Sequence, residues 1–379
     1  MRIGILTQPL HNNYGGLLQN YALQTVLAEL GHEVLTINIG GKVAYYHSLI
    51  KLASILKRSL LKATGRDIVI RAWPTKNELK IISQNTNSFV NKNIKTTKLF
   101  TQKLNEKLLK EYAFDAYIVG SDQVWRPRYS PQLSTFFLDF LQSNSKVRKI
   151  AYAASFGVDN WEFTAKQTGE FGRLLKMFDA VSVREDSAIE LCKNYFGVEA
   201  THLLDPTMLL NLDDYTSLVE KENIEQSPGT LFTYILDKNS DKLKIIDDIA
   251  HTYNLKPFSV MPLKNFSEPG RKDIYDCVFP APKKWIRGFM DAQFVVTDSF
   301  HGTVFAILFN KPFIAIANKG RGLTRFTSLL KLFHLEDRLF FSSEDFVPDN
   351  LKEIDWDKTN AILNQEKEKS IQFLKKSLN

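Results

Sequence analysis

Short apolar runs of strand length alternate with helix-spaced apolar patterns from one end of this chain to the other, and nothing else in the sequence limits the fold so strongly. Strands separated by helices are too far apart in sequence to pair as tight hairpins. They pair in parallel through crossovers, and the helices cover the sheet. Strand patterns fall at Arg2 to Leu6, Glu33 to Ile39, Ala116 to Val119 and Lys149 to Ala153. They continue at Ala180 to Val183, His202 to Leu204, Leu231 to Leu236, Pro257 to Val260, Phe294 to Val296 and Pro312 to Ala317. The expected class is α/β. At 379 residues the chain exceeds one ordinary core, so two domains are expected. A helical run from Asp159 through Trp161 and Leu175 precedes a second strand–helix series, which places the domains at residues 1–165 and 166–345. Residues 346–379 form a tail whose charged amphipathic helix, Trp356 to Leu378, could pack on either domain. Two such domains facing each other leave a cleft between the C-terminal edges of their strands, where open α/β sheets bind ligands.

The net charge of +7 is unevenly placed. Between Lys42 and Lys110 stand fifteen Lys/Arg and only three acids, Asp67, Glu78 and Glu106, so residues 42–110 read as a basic helical insertion in the first domain. Within it, Ser48 to Lys62 puts Leu49, Leu52, Leu56 and Leu60 on one helical face and Lys51, Arg58 and Lys62 on another. Such a helix lies on an anionic membrane surface or packs on a core with its charges solvated. Nucleic acid is not an expected partner, because aromatic side chains are not interleaved with the charges. No apolar run reaches membrane-spanning length, and MRIGILTQPL lacks a basic n-region and a cleavage site, so the expected location is cytoplasmic. Cys192 and Cys277 are isolated and read as reduced packing residues, and the seven histidines show no paired metal-ligand spacing.

Chemistry-bearing residues gather where strand patterns end. In FVVTDSFHGTVFAILF, Asp298, Ser299, His301, Gly302 and Thr303 fall between a buried strand and an apolar helix. A helix N-terminus there presents free N–H groups to an anion, and His301 is the side chain best suited to move a proton near neutral pH. The alternative is a buried histidine beside a helix cap. In AYIVGSDQVWRPR a strand ends at Gly120-Ser121-Asp122, followed by Trp125 and Arg126. Asp122 suits a general base and Trp125 a sugar platform, or Asp122 is an N-cap. Asn13 with Gly15 and Gly16 opens a helix after the first strand, fit for close approach by an anion or sugar, or for a simple tight turn. Arg184 ends the strand AVSV, as a clamp for carboxylate or phosphate or as the salt-bridge partner of Glu185 or Asp205. Arg321 and Arg325 in NKGRGLTRF face the same crevice as His301 or lie solvated in a surface loop.

Together these segments resemble the polysaccharide pyruvyl transferase family. The matching pieces run in family order: RIGILT, HNNYGGLLQNYAL, GSDQVW, SFG at Ser155 to Gly157, VSVRE, LLDPT, VTDSFHG and KPFIAI. The resemblance implies two Rossmann-like domains with a central cleft, arranged as in GT-B glycosyltransferases. It implies transfer of pyruvate from phosphoenolpyruvate, a donor substrate rather than a cofactor, to a sugar diol, forming a cyclic ketal. The acceptor is a cell-surface polysaccharide or its precursor, including one carried on a lipid diphosphate at the inner face of the plasma membrane. His301 and Asp122 are the expected catalytic groups. Arg184, Ser299, Gly302, Thr303, Gly120, Ser121, Trp125, Gly15, Gly16, Asn13, Arg321 and Arg325 are the expected binding groups, with no metal and no organic cofactor. Several members of the family carry an arginine two residues before this histidine, whereas Ser299 stands here, so that either Arg321 or Arg325 replaces its charge or the donor differs. The competing readings are a glycosyltransferase using a nucleotide sugar and a non-catalytic carbohydrate-binding protein.

Overall fold

The computed structural model describes residues 1–40, 48–130, 132–141 and 146–379, and the start of the basic insertion, residues 42–47, lies outside them. Among the described residues six strands form the first sheet: β1 (Arg2–Leu6), β2 (Glu33–Thr36), β3 (Ala116–Val119), β4 (Arg148–Ala154), β5 (Ala180–Val183) and β6 (Thr201–His202). Five form the second: β7 (Leu231–Tyr234), β8 (Pro257–Phe258), β9 (Phe294–Thr297), β10 (Phe313–Ile316) and β11 (Leu339–Phe340). Every pairing is parallel. Helices therefore cover both faces, which is why β3, β7, β9 and β10 are unbroken apolar or near-apolar runs buried along their whole length.

The first sheet runs β2-β1-β3-β4-β5-β6 and the second β8-β7-β9-β10-β11, the same order over five strands when they are counted within each sheet, with β6 added at the edge of the first. Strand order reverses between β1 and β3 and between β7 and β9. Such reversals open crevices at the strand C-termini. Gly120 to Gln123 follow β3 directly, and Asp298 to His301 follow β9, so the two polar segments occupy equivalent places in the two sheets.

β5, which the sequence reading puts in the second domain, pairs with β4, and β6 pairs with β5 and completes the first sheet, so the change of sheet falls between His202 and Leu231. The C-terminal helix Trp356–Leu378 packs back on the first sheet. The Phe373 ring lies 6.3 Å from Tyr152, Ser370 Oγ accepts from Leu204 N at 3.3 Å, and Leu374 and Leu378 are buried.

The two halves share a core. Tyr14, in the first turn of the helix Tyr14–Glu29, sets its ring 5.9 Å from Trp285 and donates its hydroxyl to Pro280 O at 2.8 Å. Its hydroxyl thus finds an acceptor while its ring is removed from water. The second half of the basic insertion also reaches across, through Asn85 Nδ2 to Phe279 O at 2.8 Å and Phe279 N to Ile82 O at 3.0 Å. Among the described residues no helix is long and apolar enough to cross a membrane.

Candidate active site

A cavity of about 670 Å³ lies between the C-terminal edges of the two sheets. Gln8, Asn13, Asp122 and Gln123 line it from the first sheet, and Tyr234, Ser299, His301, Arg321 and Arg325 from the second. His301 is delivered by the helix Phe300–Leu308, all nine residues of which are buried. A helix apolar on every side must be enclosed, and this one is held behind β9 with its N-terminus at the cavity. Its N-cap, Ser299, makes no side-chain capping bond, and neither does Asn13 at the head of Tyr14–Glu29. Two helix N-termini, one from each half, thus reach the cavity with their capping side chains uncommitted, an arrangement that favours negative charge.

Behind the cavity wall lies a buried charge cluster. Arg184 Nη1 donates to Asp205 Oδ2 at 2.7 Å and Nη2 to Asp122 Oδ1 at 3.3 Å. The other Asp205 oxygen accepts from Thr207 N at 3.0 Å and Thr207 Oγ1 at 2.7 Å. His301 Nε2 stands 3.5 Å from Asp205 Oδ2, within ion-pair range but without hydrogen-bond alignment. Arg325 Nη1 stands 3.9 Å from Asp122 Oδ1. The guanidinium groups of Arg184 and Arg325 lie over the Phe300 ring at 4.7 and 5.4 Å, which lowers the cost of keeping two cations out of water.

These placements set protonation. Burial pushes the Asp122 carboxyl up, but Arg184, His301, Arg325 and the Gln123 N–H outweigh it and hold the group below its usual range. Burial likewise opposes ionisation of Asp205, and His301 with Arg184 overcomes it and holds that carboxyl well below the ordinary value. Both carboxylates are therefore charged at neutral pH. A carboxylate so stabilised is a weak base, so Asp122 is suited to accepting a hydrogen bond from a hydroxyl and His301 to moving the proton. Arg325 is pushed down to about 10, by burial first and by Arg184 second. Its Nε is buried without a partner, and its cationic form is under-compensated. An anion in the cavity would supply what it lacks.

Close backbone approach makes the geometry possible. A Cβ on Gly15 would fall 2.1 Å from His301 Nδ1, and one on Gly302 would fall 2.2 Å from Thr297 Oγ1. Gly120 has φ +130 and runs against Tyr152 O, where a Cβ would sit at 2.1 Å. Asp122 itself has φ 56, the left-handed region that costs most residues about 1–2 kcal/mol and that aspartate tolerates better than most.

Of the residues expected at the site, Asn13, Asp122, Ser299, His301, Arg321 and Arg325 line the cavity, and Gly15 lies beneath His301. Others support it from behind. Ser121 is buried and donates to Ala153 O at 2.7 Å, Thr303 Oγ1 donates to Ser299 O at 3.3 Å, and Gly16 leaves room for the Asn13 side chain. Trp125, expected as a sugar platform, is fully buried, donates Nε1 to Phe136 O at 3.1 Å and stacks on Phe137 at 5.4 Å. Arg184 is paired with Asp205 and Asp122 behind the cavity wall and is not among the residues lining the cavity. Arg321 is held by both oxygens of Asp237, at 2.5 and 2.8 Å. Glu185 accepts from Phe156 N at 2.7 Å and Gly157 N at 2.8 Å, and so secures the SFG turn.

Asp205, Gln8, Gln123 and Tyr234 also belong to the site. Asp205 has a signal in the sequence as part of LLDPT, a candidate partner for Arg184, and Gln123 as part of GSDQVW, whereas Gln8 and Tyr234 have none. Among the described residues no group of three or more His, Cys, Asp or Glu could hold a metal ion.

The sequence family described as polysaccharide pyruvyl transferase matches residues 13–320, most of the chain. No curated protein matches it. Among solved structures, a glycosyltransferase from Rickettsia africae aligns with TM-score 0.47 and 11% identity over 100% of this chain and 99% of its own. UDP-GlcNAc 2-epimerase from Neisseria meningitidis bound to UDP-GlcNAc aligns with TM-score 0.46 and 10% identity over 99% of this chain and 100% of its own. Likenesses this distant say nothing about substrate.

Proposed function

The chain belongs to the polysaccharide pyruvyl transferase family, and from that premise we propose that it moves pyruvate from phosphoenolpyruvate onto two hydroxyls of a sugar in a cell-surface polysaccharide or its precursor, forming a cyclic ketal. The observation that carries this reading is His301 at the cavity wall, with Asp205 behind its ring and the under-compensated Arg325 lining the same cavity.

The reaction needs a proton donor, a hydroxyl acceptor and an anion holder. His301, whose Nε2 stands 3.5 Å from Asp205 Oδ2, gives a proton to the methylene carbon of the donor, which becomes the ketal methyl. The adjacent carbon becomes cation-like and is attacked by the first sugar hydroxyl, whose hydrogen bond to Asp122 aims its lone pair. The C–O bond to phosphate breaks, and the second hydroxyl attacks the same carbon. Two hydroxyl protons are released overall. One replaces the proton given by His301, and the other leaves on inorganic phosphate.

Arg325 takes the role of the arginine that other members of the family carry where Ser299 stands here. Arg321 is already neutralised by Asp237, whereas Arg325 has an unpartnered Nε and limited compensation. Together with the uncapped N-termini at Asn13 and Ser299, it favours the donor's carboxylate and phosphate.

Incubation with phosphoenolpyruvate and a panel of bacterial polysaccharides and lipid-linked saccharides, following phosphate release and ketal formation, tests the reading. Acceptor-dependent phosphate release supports it. Turnover of nucleotide sugars with release of nucleoside diphosphate, and none of phosphoenolpyruvate, would replace it with a glycosyltransferase.

A further inference from the structure

The helix Ser48–Ala63 departs from the way the other long helices of this protein are used. Fourteen residues or more of amphipathic helix ordinarily hide an apolar stripe, yet from Leu52 onward none of its residues is buried. Leu52, Leu56 and Leu60 are 55%, 58% and 71% exposed, and their spacing of four puts them on one face. A leucine stripe left in water forfeits the favourable transfer of its side chains out of water. The helix contains Lys51, Lys57, Arg58 and Lys62 and no acid, and Arg66 follows it. Arg58 Nε donates to Val69 O at 2.7 Å, which folds the following segment beside the helix, and among the described residues none buries the leucine stripe.

We propose that this helix docks the enzyme on an anionic lipid surface, with Leu52, Leu56 and Leu60 entering the acyl boundary and the lysines and arginines meeting the headgroups. Charge complementarity selects the occupant. An uncovered leucine stripe alone would fit another protein or a second copy of this chain. A second copy, however, would bring its own acid-free basic helix against this one, and the charges would repel. An anionic bilayer offers an apolar layer beneath a negative one, in the order this helix presents. Long basic side chains flanking the stripe can lie along the apolar surface while their charges stay in water. The inference rests on this helix alone and stands whatever donor the active site uses.

Sedimentation of the full chain with vesicles tests it, comparing phosphatidylcholine with phosphatidylcholine containing phosphatidylglycerol, at low and high salt. The chain is expected to pellet with the anionic vesicles, and less so as salt rises. Lys57→Gln and Lys62→Gln should each weaken partitioning about fivefold. The combined variant Leu52→Ser, Leu56→Ser, Leu60→Ser should stay in the supernatant. That variant should keep the circular dichroism spectrum of the parent and unchanged turnover of a soluble acceptor, since none of the three lines the cavity. Equal pelleting of parent and triple variant would overturn the proposal. So would failure of the parent to pellet, including the case in which light scattering shows a dimer that the triple variant abolishes, which would assign the face to a second copy.

Discussion

The Cα of Gly15 lies so close beneath the His301 imidazole that a Cβ there would fall 2.1 Å from Nδ1 and 2.2 Å from Cγ. The ring proposed to move the proton therefore comes from one half of the protein and its seat from the other. Gly15→Ala separates function from stability. Alanine is better than glycine in a helix by about 1 kcal/mol, so the backbone should tolerate it, while the added methyl forces the imidazole out of place. We expect kcat to fall at least about 10²-fold, the scale of losing positioned acid–base help, with the far-ultraviolet circular dichroism spectrum unchanged. Parent-like kcat would mean that the ring's seat does not matter.

Arg325 should show the opposite balance between stability and binding to that of an ordinary buried ion. Its folded value is depressed to about 10 by burial and by Arg184. Between that value and its ordinary one the unfolded chain binds the proton more readily, so its charge opposes folding at neutral pH. Arg325→Met should leave the melting temperature of the unliganded protein unchanged or raise it. The same variant should raise KM for phosphoenolpyruvate at least about tenfold, since a hydrogen bond to a charged group is typically worth about 1.5–3 kcal/mol. Arg321→Met, which releases Asp237 instead, should affect KM far less. Thermal melts and initial-rate kinetics on both variants decide between the two arginines.

The carboxylates at the other end of this network give the pH dependence. Asp122 and Asp205 are both held below the ordinary aspartate value, so in acid the unfolded chain takes up protons that the folded protein refuses. Their stabilisation is fully present above the unfolded value of about 3.9 and is lost as pH falls below it. Asp205→Asn leaves Arg184 buried with its shortest partner gone, at an expected cost of about 3–5 kcal/mol at neutral pH. Urea unfolding of parent and variant should therefore differ most at pH 7 and converge below pH ~3.9. A gap that stays constant into acid would mean that the Asp205 charge does not hold this cluster together.

How much of this could be read beforehand depends on the range of the interactions involved. The α/β class and the strand ends were legible because hydrophobic period and length are local properties. Sheet membership was not: β5 has the pattern of any buried parallel strand, and only its pairing with β4, and that of β6 with β5, puts the two in the first sheet. The same holds for the arginines. Arg184, Arg321 and Arg325 each stand near a strand end or in a glycine-rich loop, and a guanidinium reads alike in sequence whether a ligand or an aspartate faces it. Asp205 lies 21 residues from Arg184, and Asp237 lies 84 residues from Arg321. Those separations are closed by the fold, and they decide which cation remains under-compensated.

Trp125 provides the last test, because its sequence setting and its place in the fold disagree. Beside Asp122 in sequence it has the look of a sugar platform, yet its ring is fully buried between Phe137 and Phe156, at 5.4 Å from each. Trp125→Phe keeps much of the stacking but removes the Nε1 donor, leaving Phe136 O without that bond. The expected effect is a loss of about 1–3 kcal/mol of stability from an unsatisfied buried carbonyl, with KM for the acceptor unchanged. Chemical denaturation beside acceptor titration reads both quantities. A raised KM at parent-like stability would return Trp125 to the binding surface and contradict its place in the core.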